Sequence, residues 1–392
     1  MKATFILFTS IVFFSVSCGA KKNSNTDSAN NKLLPVKVDT SMVFKPLTPG
    51  EKKYYHDKVE QAYHKILGPN FNGEILVAKN GQTVFEDYKG VANFRTKTPL
   101  TPTTSLHLAS TSKTFTGMAI LHLWEEGKLS LDDYIQKYFP AFPYQGITIR
   151  MLLSHRSGLP NYLNFMEKGY PRNKRATNQD VINFMIQNKP PRAALPDKAF
   201  QYCNTNFVLL ASILEKVTHM SYPQFMKDSL FIPLGMHDTY VFSIKDTADY
   251  VPTYMGNRPF AFTNIDCTYG DKNIYSTVRD LLKWDRCLYM NTFVKASTLK
   301  MAYTPQSREH PSMHNYGFAW RTYYNPKTGD SVVYHNGYWH GSNNVFTRYI
   351  KDNVTIIVLG NRYSPNNYNA KKIGEVFTGH PDTSLLEGGP EP

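Results

Sequence analysis

The sequence predicts an α/β chain of the α+β kind: a sheet flanked by helices, with a helical lobe inserted into it. Three observations predict this. Strand-like runs occur early, at residues 74–78 and 83–88. They return late, at residues 331–335, 343–350 and 354–359. Helical patterns dominate between them, from about residue 149 to 238. Strands at both ends with helices in the middle pack as one sheet drawn from both termini, and the helices form a lobe of their own.

Each element has a local reason. Residues 52–67 place Tyr55, Val59, Ala62, Tyr63 and Ile66 at helical spacing, and Gly68-Pro69 stops the helix. Asn80-Gly81 between the first two strand-like runs is a strong hairpin signal. Residues 111–126 form a long, mostly apolar helix closed by Gly127. Residues 206–218 read as another helix, and a last one follows Pro365. Residues 21–32 (KKNSNTDSANNK) are polar without apolar periodicity, and read as a tether that continues to about Gly50. The Gly- and Pro-rich stretch 379–392 is expected to be a disordered tail. The globular part is then residues 51–378: an α/β lobe of 51–149 with 260–378, a helical lobe of 150–259, and a cleft between them.

Hydrophobic residues make up 41% of the 392 residues and charged residues 19%, values of a folded chain and not of a disordered one. The net charge of +13 is spread along the chain without a long basic run. With no zinc-finger spacing, basic heptad helix or RNA-binding signature, nucleic acid is set aside as a partner. The 26 Tyr and 24 Phe are first of all core-forming residues.

Lys2 precedes an apolar run at residues 3–16, too short to span a bilayer, that reads as a secretory signal over residues 1–17. Ser15-Val16-Ser17-Cys18 looks like a lipobox, although Ser15 stands where such motifs usually carry Leu. It predicts an exported protein held to the cell envelope by lipid on Cys18, with 18–50 as the tether. Ser15 and Ser17 also suit an ordinary small-residue cleavage site. Cys203, Cys267 and Cys287 are odd in number, match no metal site, and read as small buried residues.

A serine hydroxyl is hardly ionised at neutral pH, so attack on a carbonyl needs a base and donors for the developing oxyanion. Ser110-Thr111-Ser112-Lys113 can supply both. At the start of the 111–126 helix the (i, i+3) spacing puts Lys113 on the face of Ser110, and the helix N-terminus offers free N–H groups. Phe115, Met118, Ala119, Leu121, Leu123 and Trp124 make that helix apolar almost all round, which implies burial. Burial disfavours the ammonium form of Lys113 and so makes it a base. The motif is short, and Ser-x-x-Lys recurs at Ser297 to Lys300. Taken alone, Ser110 is equally a helix N-cap and Lys113 a solvated helix lysine.

The surrounding segments resemble those of the serine β-lactamase and penicillin-binding-protein family. They are HLASTSKTFTGMAI (107–120), TIRMLLSHRSGLPNY (148–162), QYCNTNFVLLASILEKVT (201–218), FIPLGMHDTYV (231–241), GDKNIYSTVRDLLKW (270–284) and YHNGYWHG (334–341). The resemblance spans nearly all of 51–378, in the family's order. It implies a β-lactamase/transpeptidase-like fold with a mainly antiparallel sheet. It also implies roles: Ser110 is acylated, Lys113 helps deprotonate it, and Tyr202 relays protons to the leaving group. Asn204 binds Lys113 and a substrate amide. His335 and Gly337 line the cleft, and the backbone N–H groups of Ser110 and Tyr338 form the oxyanion hole. Tyr-x-Asn also occurs at Tyr162, Tyr289, Tyr323 and Tyr334, so position within 201–218 alone selects Tyr202.

Two departures narrow the activity. His335-Asn336-Gly337 stands where many β-lactamases have Lys-Thr-Gly, so an imidazole replaces a permanent cation. No glutamate base of the class A kind is evident, and the Tyr202 route resembles class C enzymes. The expectation is cleavage of a small-molecule or peptide ester or amide through an acyl-Ser110 intermediate, with no metal or organic cofactor. A weak β-lactamase or D,D-peptidase, and a non-catalytic ligand-sensing or envelope-binding module, are the alternatives.

Overall fold

The computed structural model describes residues 44–248, 250–307, 309, 312–381 and 384–386. The expected signal segment and Cys18 lie outside the described residues. Helix α1 (Pro49–Leu67) opens with Thr48 and Glu51 in a capping box and closes at Gly68. The hairpin follows as β1 (Gly73–Lys79) and β2 (Gln82–Lys89). Its turn residues Asn80 (φ 49°) and Gly81 (φ 63°) both adopt positive φ, the conformation that Asn-Gly hairpins favour. The expected tether ends sooner than Gly50. Phe44 packs edge-on to Tyr289, and the Lys45 carbonyl accepts from the Asn80 and Gln82 side chains.

Five more strands complete the sheet: β3 (His314–Tyr316), β4 (Arg321–Asn325), β5 (Asp330–Trp339), β6 (Ser342–Tyr349) and β7 (Val354–Gly360). The order is β3-β4-β5-β6-β7-β1-β2, and every pairing is antiparallel. The N-terminal hairpin is thus the far edge of a sheet made mainly by the C-terminal strands. The sheet is covered on both faces, and the period of two shows it. Leu76, Ala78, Ile357 and Leu359 enter the core shared with the helices. Ile75, Val77, Ile356 and Val358 enter a second core under α1 and the C-terminal turns. Each buried Leu, Ile or Val among them contributes about 1.5–3 kcal/mol.

The middle of the chain supplies α2 (Ser112–Glu125), α3 (Ile149–Leu153), α4 (Tyr162–Gly169), α5 (Asn178–Asn188) and α6 (Thr205–Thr218). In the expected helical lobe of 150–259, helices follow one another as far as Phe231, and a short 3₁₀ helix (Ile244–Ala248) comes after them. The rest of the chain before α7 (Val278–Met290) runs through loops and strands of two or three residues. Strands β3 and β4 carry no sequence signal, because one is three residues long and the other lacks alternation. The expected disordered tail is also corrected in part. Leu385 is buried, and the Ser384 carbonyl accepts from His314 Nε2 at 2.7 Å. No helix among the described residues is long and apolar enough to cross a membrane.

Candidate active site

Helix α2 is the post on which the site stands. Every residue from Ser112 to Leu121 is buried, as its all-round apolar pattern requires. Gly117 lets the post pack: a Cβ there would come within 2.2 Å of Ala319 Cβ. A 3₁₀ turn, Ala109–Thr111, leads into the helix and carries Ser110, which retains 8% of its exposure. Ala109 holds φ +48°, a left-handed conformation that costs a non-glycine residue about 1–2 kcal/mol. The turn is strained and over-determined, as at many functional sites.

Lys113 is fully buried. Its Nζ lies 2.9 Å from Ser110 Oγ, 2.8 Å from Asn204 Oδ1 and 2.9 Å from the Asp271 carbonyl. All three partners are neutral oxygens. As a neutral amine, Lys113 has two N–H bonds for Asn204 and Asp271 and a lone pair for the Ser110 hydroxyl, so the site accommodates the base form without an orphaned group. Asn204 starts α6, and Asp271 lies on the 270–273 segment that runs beside α2. On its other side Gly270 (φ +98°) lets this segment press against α6, since a Cβ there would meet the Phe207 carbonyl at 2.3 Å.

Tyr202 borders the same amine, with Lys113 Nζ 4.9 Å from its ring centroid. The His155 ring lies 4.3 Å from the Tyr202 ring. His155 Nδ1 accepts from the Cys203 N–H at 3.1 Å and from Asn206 Nδ2 at 3.2 Å, so this imidazole pins the Tyr-x-Asn loop. Burial first, then the Lys113, His335 and Arg321 charges, holds its pKa well below the ordinary histidine value. Cys203 points into the core, donating to the Leu159 carbonyl, and burial pushes its thiol up to about 11. Cys287 is buried too, but Cys267 is half-exposed, against the expectation of three buried thiols.

Gly337 is required by contact. A Cβ there would lie 2.3 Å from the Leu108 carbonyl, so β5 passes directly against the nucleophile turn. Pairing of β4 with β5 ends at Tyr334, whereas β6 pairs β5 as far as Trp339. Residues 335–339 therefore turn one strand edge away from β6 without a strand partner among the described residues. Tyr338 on that segment is exposed. His335 lies on β5, the strand that the resemblance assigns to the cleft. It is fully buried, Nδ1 donates to the Asn336 carbonyl at 2.7 Å, and Nε2 accepts from the Tyr316 hydroxyl at 3.2 Å. Its ring lies 6.4 Å from that of Tyr202.

Sequence reading did not single out His155, Asp271, Tyr316 or Arg321. The first two lie in segments quoted for the resemblance, but nothing local marks them. Arg321 has its guanidinium 5.8 Å from the Tyr202 ring centroid. Two hollows flank α4. One is lined by Leu159, Pro160, Phe165, Pro191 and Tyr202, the other by Glu167, Lys168, Tyr338, Trp339 and His340.

A buried lysine on a serine, a Tyr-x-Asn segment against that lysine, and an antiparallel sheet with a strand edge beside the nucleophile turn give the layout of a serine hydrolase of the penicillin-binding-protein type. The chain belongs to the β-lactamase family, whose profile matches residues 61–377. It is 33% identical over 327 residues to penicillin-binding protein 4* of Bacillus subtilis, covering 79% of this chain and 72% of that one. In structure it resembles the octameric penicillin-binding protein homologue from Pyrococcus abyssi, with TM-score 0.71, 26% identity, and 83% of this chain and 78% of that one covered. The fold is also that of a D-stereospecific amidohydrolase from Streptomyces, with TM-score 0.65, 22% identity, and 83% and 99% covered.

Proposed function

We propose that this protein hydrolyses an ester or amide through an acyl-Ser110 intermediate. The observation that carries this is the buried Lys113 amine, 2.9 Å from Ser110 Oγ with Asn204 and Asp271 as its other partners. Ser110 Oγ bonds to the substrate carbonyl carbon while its proton passes to Lys113 Nζ. The N–H groups of Ser110 and Tyr338 stabilise the oxyanion. The C–O or C–N bond breaks as Tyr202 gives its hydroxyl proton to the leaving group and regains one from Lys113 Nζ, which returns the amine to its base form. Water then attacks the acyl carbon, gives its proton back along the same route, and releases the acid and free Ser110.

One observation favours an anionic substrate, as in the peptidase form of this reading. The third motif lacks a lysine, and Arg321 supplies a cation beside Tyr202 instead. A free carboxylate on the substrate is the matching group.

Intact-protein mass spectrometry tests both. The full chain is incubated with a fluorophosphonate, a penicillin, and a panel of p-nitrophenyl esters and D-amino-acid amides and dipeptides. An adduct of the wild type that Ser110→Ala abolishes is expected. No adduct and no turnover with any reagent would overturn the acyl-serine reading. Arg321→Gln should raise KM at least about tenfold for substrates with a free carboxylate and leave neutral esters unchanged. Equal effects on both classes would remove Arg321 from recognition.

The envelope location is part of the proposal, carried by Cys18 after the apolar N-terminal run. Cys18→Ser should move the expressed full chain from the membrane to the soluble fraction. A chain that stays with the membrane would sink the lipid anchor.

A further inference from the structure

We propose that His107 is a positioning residue for the nucleophile, its ring holding the left-handed turn at Ala109 that aims Ser110. The proposal rests on the acyl-Ser110 reading and assigns a residue that takes no part in the proton transfers.

The geometry is local and complete. His107 lies in a two-residue strand, Leu106–His107, that pairs with Ile274–Ser276. Its Nδ1 accepts the Ala109 N–H at 3.2 Å, and its Nε2 lies 2.9 Å from Asn273 Oδ1. An amide oxygen can only accept, so Nε2 carries the proton and Nδ1 is left as the acceptor that Ala109 needs. The His107 carbonyl is itself held by Asn344 Nδ2 at 2.8 Å. The Ala109 N–H bond therefore fixes the peptide plane before Ala109, and the left-handed dihedral angles of Ala109 (φ +48°) orient the next plane relative to it. That second plane contains the Ser110 N–H, the proposed oxyanion donor. A donor that must meet an oxyanion at about 2.7–3.1 Å tolerates little rotation.

The surroundings keep the ring neutral. His107 is 3% exposed, and burial pushes its pKa down to about 4 against the opposing Asn273 hydrogen bond. The His340 and Lys272 charges lower it further, whereas the Asp266 carboxylate raises it. The Tyr275 ring packs 5.0 Å away, edge to face, and Ser342 Oγ lies 3.5 Å from Nδ1. A protonated Nδ1 would confront the Ala109 N–H with a second donor. The buried environment prevents that across ordinary pH.

The test uses the full chain carrying His107→Asn, His107→Gln or His107→Leu. Each is assayed for fluorophosphonate labelling at Ser110, for kcat and KM on the best ester of the panel, and for hydrogen exchange in the 105–112 segment. Asn places an amide oxygen where Nδ1 sits, Gln places one near Nε2, and Leu supplies no acceptor. His107→Asn is expected to stay within about threefold of wild type. His107→Gln and His107→Leu should slow labelling by roughly 30-fold or more, lower kcat with KM unchanged, and speed exchange in the segment. If His107→Leu does not fold, the Asn-to-Gln contrast decides. Equal activity of Asn and Gln, or wild-type labelling by a folded His107→Leu protein, would overturn the positioning role. Failure of the wild type to label sinks the acyl-serine reading instead, and the exchange contrast between Asn and Leu still decides whether His107 holds the turn.

Discussion

Lys113 is held by three hydrogen bonds to neutral oxygens, from the turn before α2, the start of α6 and the 270–273 segment. Three separate parts of the chain thus converge on one amine. Its value as a base depends on giving up a proton, which a guanidinium does not do. Lys113→Ala should slow acylation of Ser110 by about 10²–10⁴-fold. Lys113→Arg should be no better, although it keeps a positive charge at the site. The second-order rate of fluorophosphonate labelling measures both. An active Lys113→Arg protein would show that the lysine acts as a fixed cation and not as a base.

At the scale of elements, the site is the meeting of a helix start, a loop and a strand edge. Strand β5 is paired with β6 along its length and with β4 only as far as Tyr334, which frees its final residues to border the nucleophile turn. Gly337 sets the distance between the two. In Gly337→Ala the new Cβ would lie 2.3 Å from the Leu108 carbonyl, so strand or turn must move. The expected cost is about 1–3 kcal/mol of stability, with kcat reduced more than KM because the oxyanion donors separate. Thermal melting and steady-state kinetics on one preparation would show this. Unchanged kinetics would mean that β5 does not line the reacting centre. The Tyr-x-Asn loop is tied in the same way, by Thr205 Oγ1 to the Pro160 carbonyl at 2.7 Å and from the Tyr162 N–H at 2.8 Å.

At the scale of the molecule, a buried ion pair and a buried carboxyl group bear on stability. Arg348 and Asp285 join β6 to α7 by an ion pair of 2.6 Å, with both side chains almost wholly buried. Glu74 on β1 is fully buried, and its Oε2 accepts from the Val278 N–H at 3.3 Å. Burial raises its pKa well above the ordinary glutamate range, and the Asp238 charge adds to the effect. The folded chain therefore holds this proton more tightly than the unfolded chain, whose value is about 4.3. Below that pH, Glu74 is neutral in both states and its favourable contribution is fully present. As the pH rises from there through the folded value, the unfolded chain binds fewer protons and stability falls. Glu74→Gln should flatten this decline and raise the melting temperature at pH 8, by roughly 2–4 °C for each 1 kcal/mol recovered. Parallel melting curves of wild type and Glu74→Gln between pH 5 and 8 would contradict the assignment.

The sequence by itself determined what rests on local periodicity and on residue type. Short strand-like runs marked β1, β2, β5, β6 and β7, and Asn80-Gly81 marked the hairpin of the first two. The mostly apolar pattern of α2 announced its burial, and the Ser-x-x-Lys spacing put the hydroxyl and amine on one face. Tyr202 and Asn204 were legible only through resemblance, because four other Tyr-x-Asn triplets compete with them. Tertiary structure alone decided the rest. The strands at Leu106–His107, Tyr240–Val241 and Ile274–Ser276 are two or three residues long, below any period a sequence can display, yet they form one sheet that anchors the nucleophile turn. Asp271 contributes a backbone carbonyl, which every residue has, so no side-chain identity could announce it. His335 is buried and bonded by Tyr316, a partner 19 residues away on another strand that no local pattern could name. Periodicity and chemistry are written residue by residue, whereas the partner that buries a group is chosen only when distant segments pack.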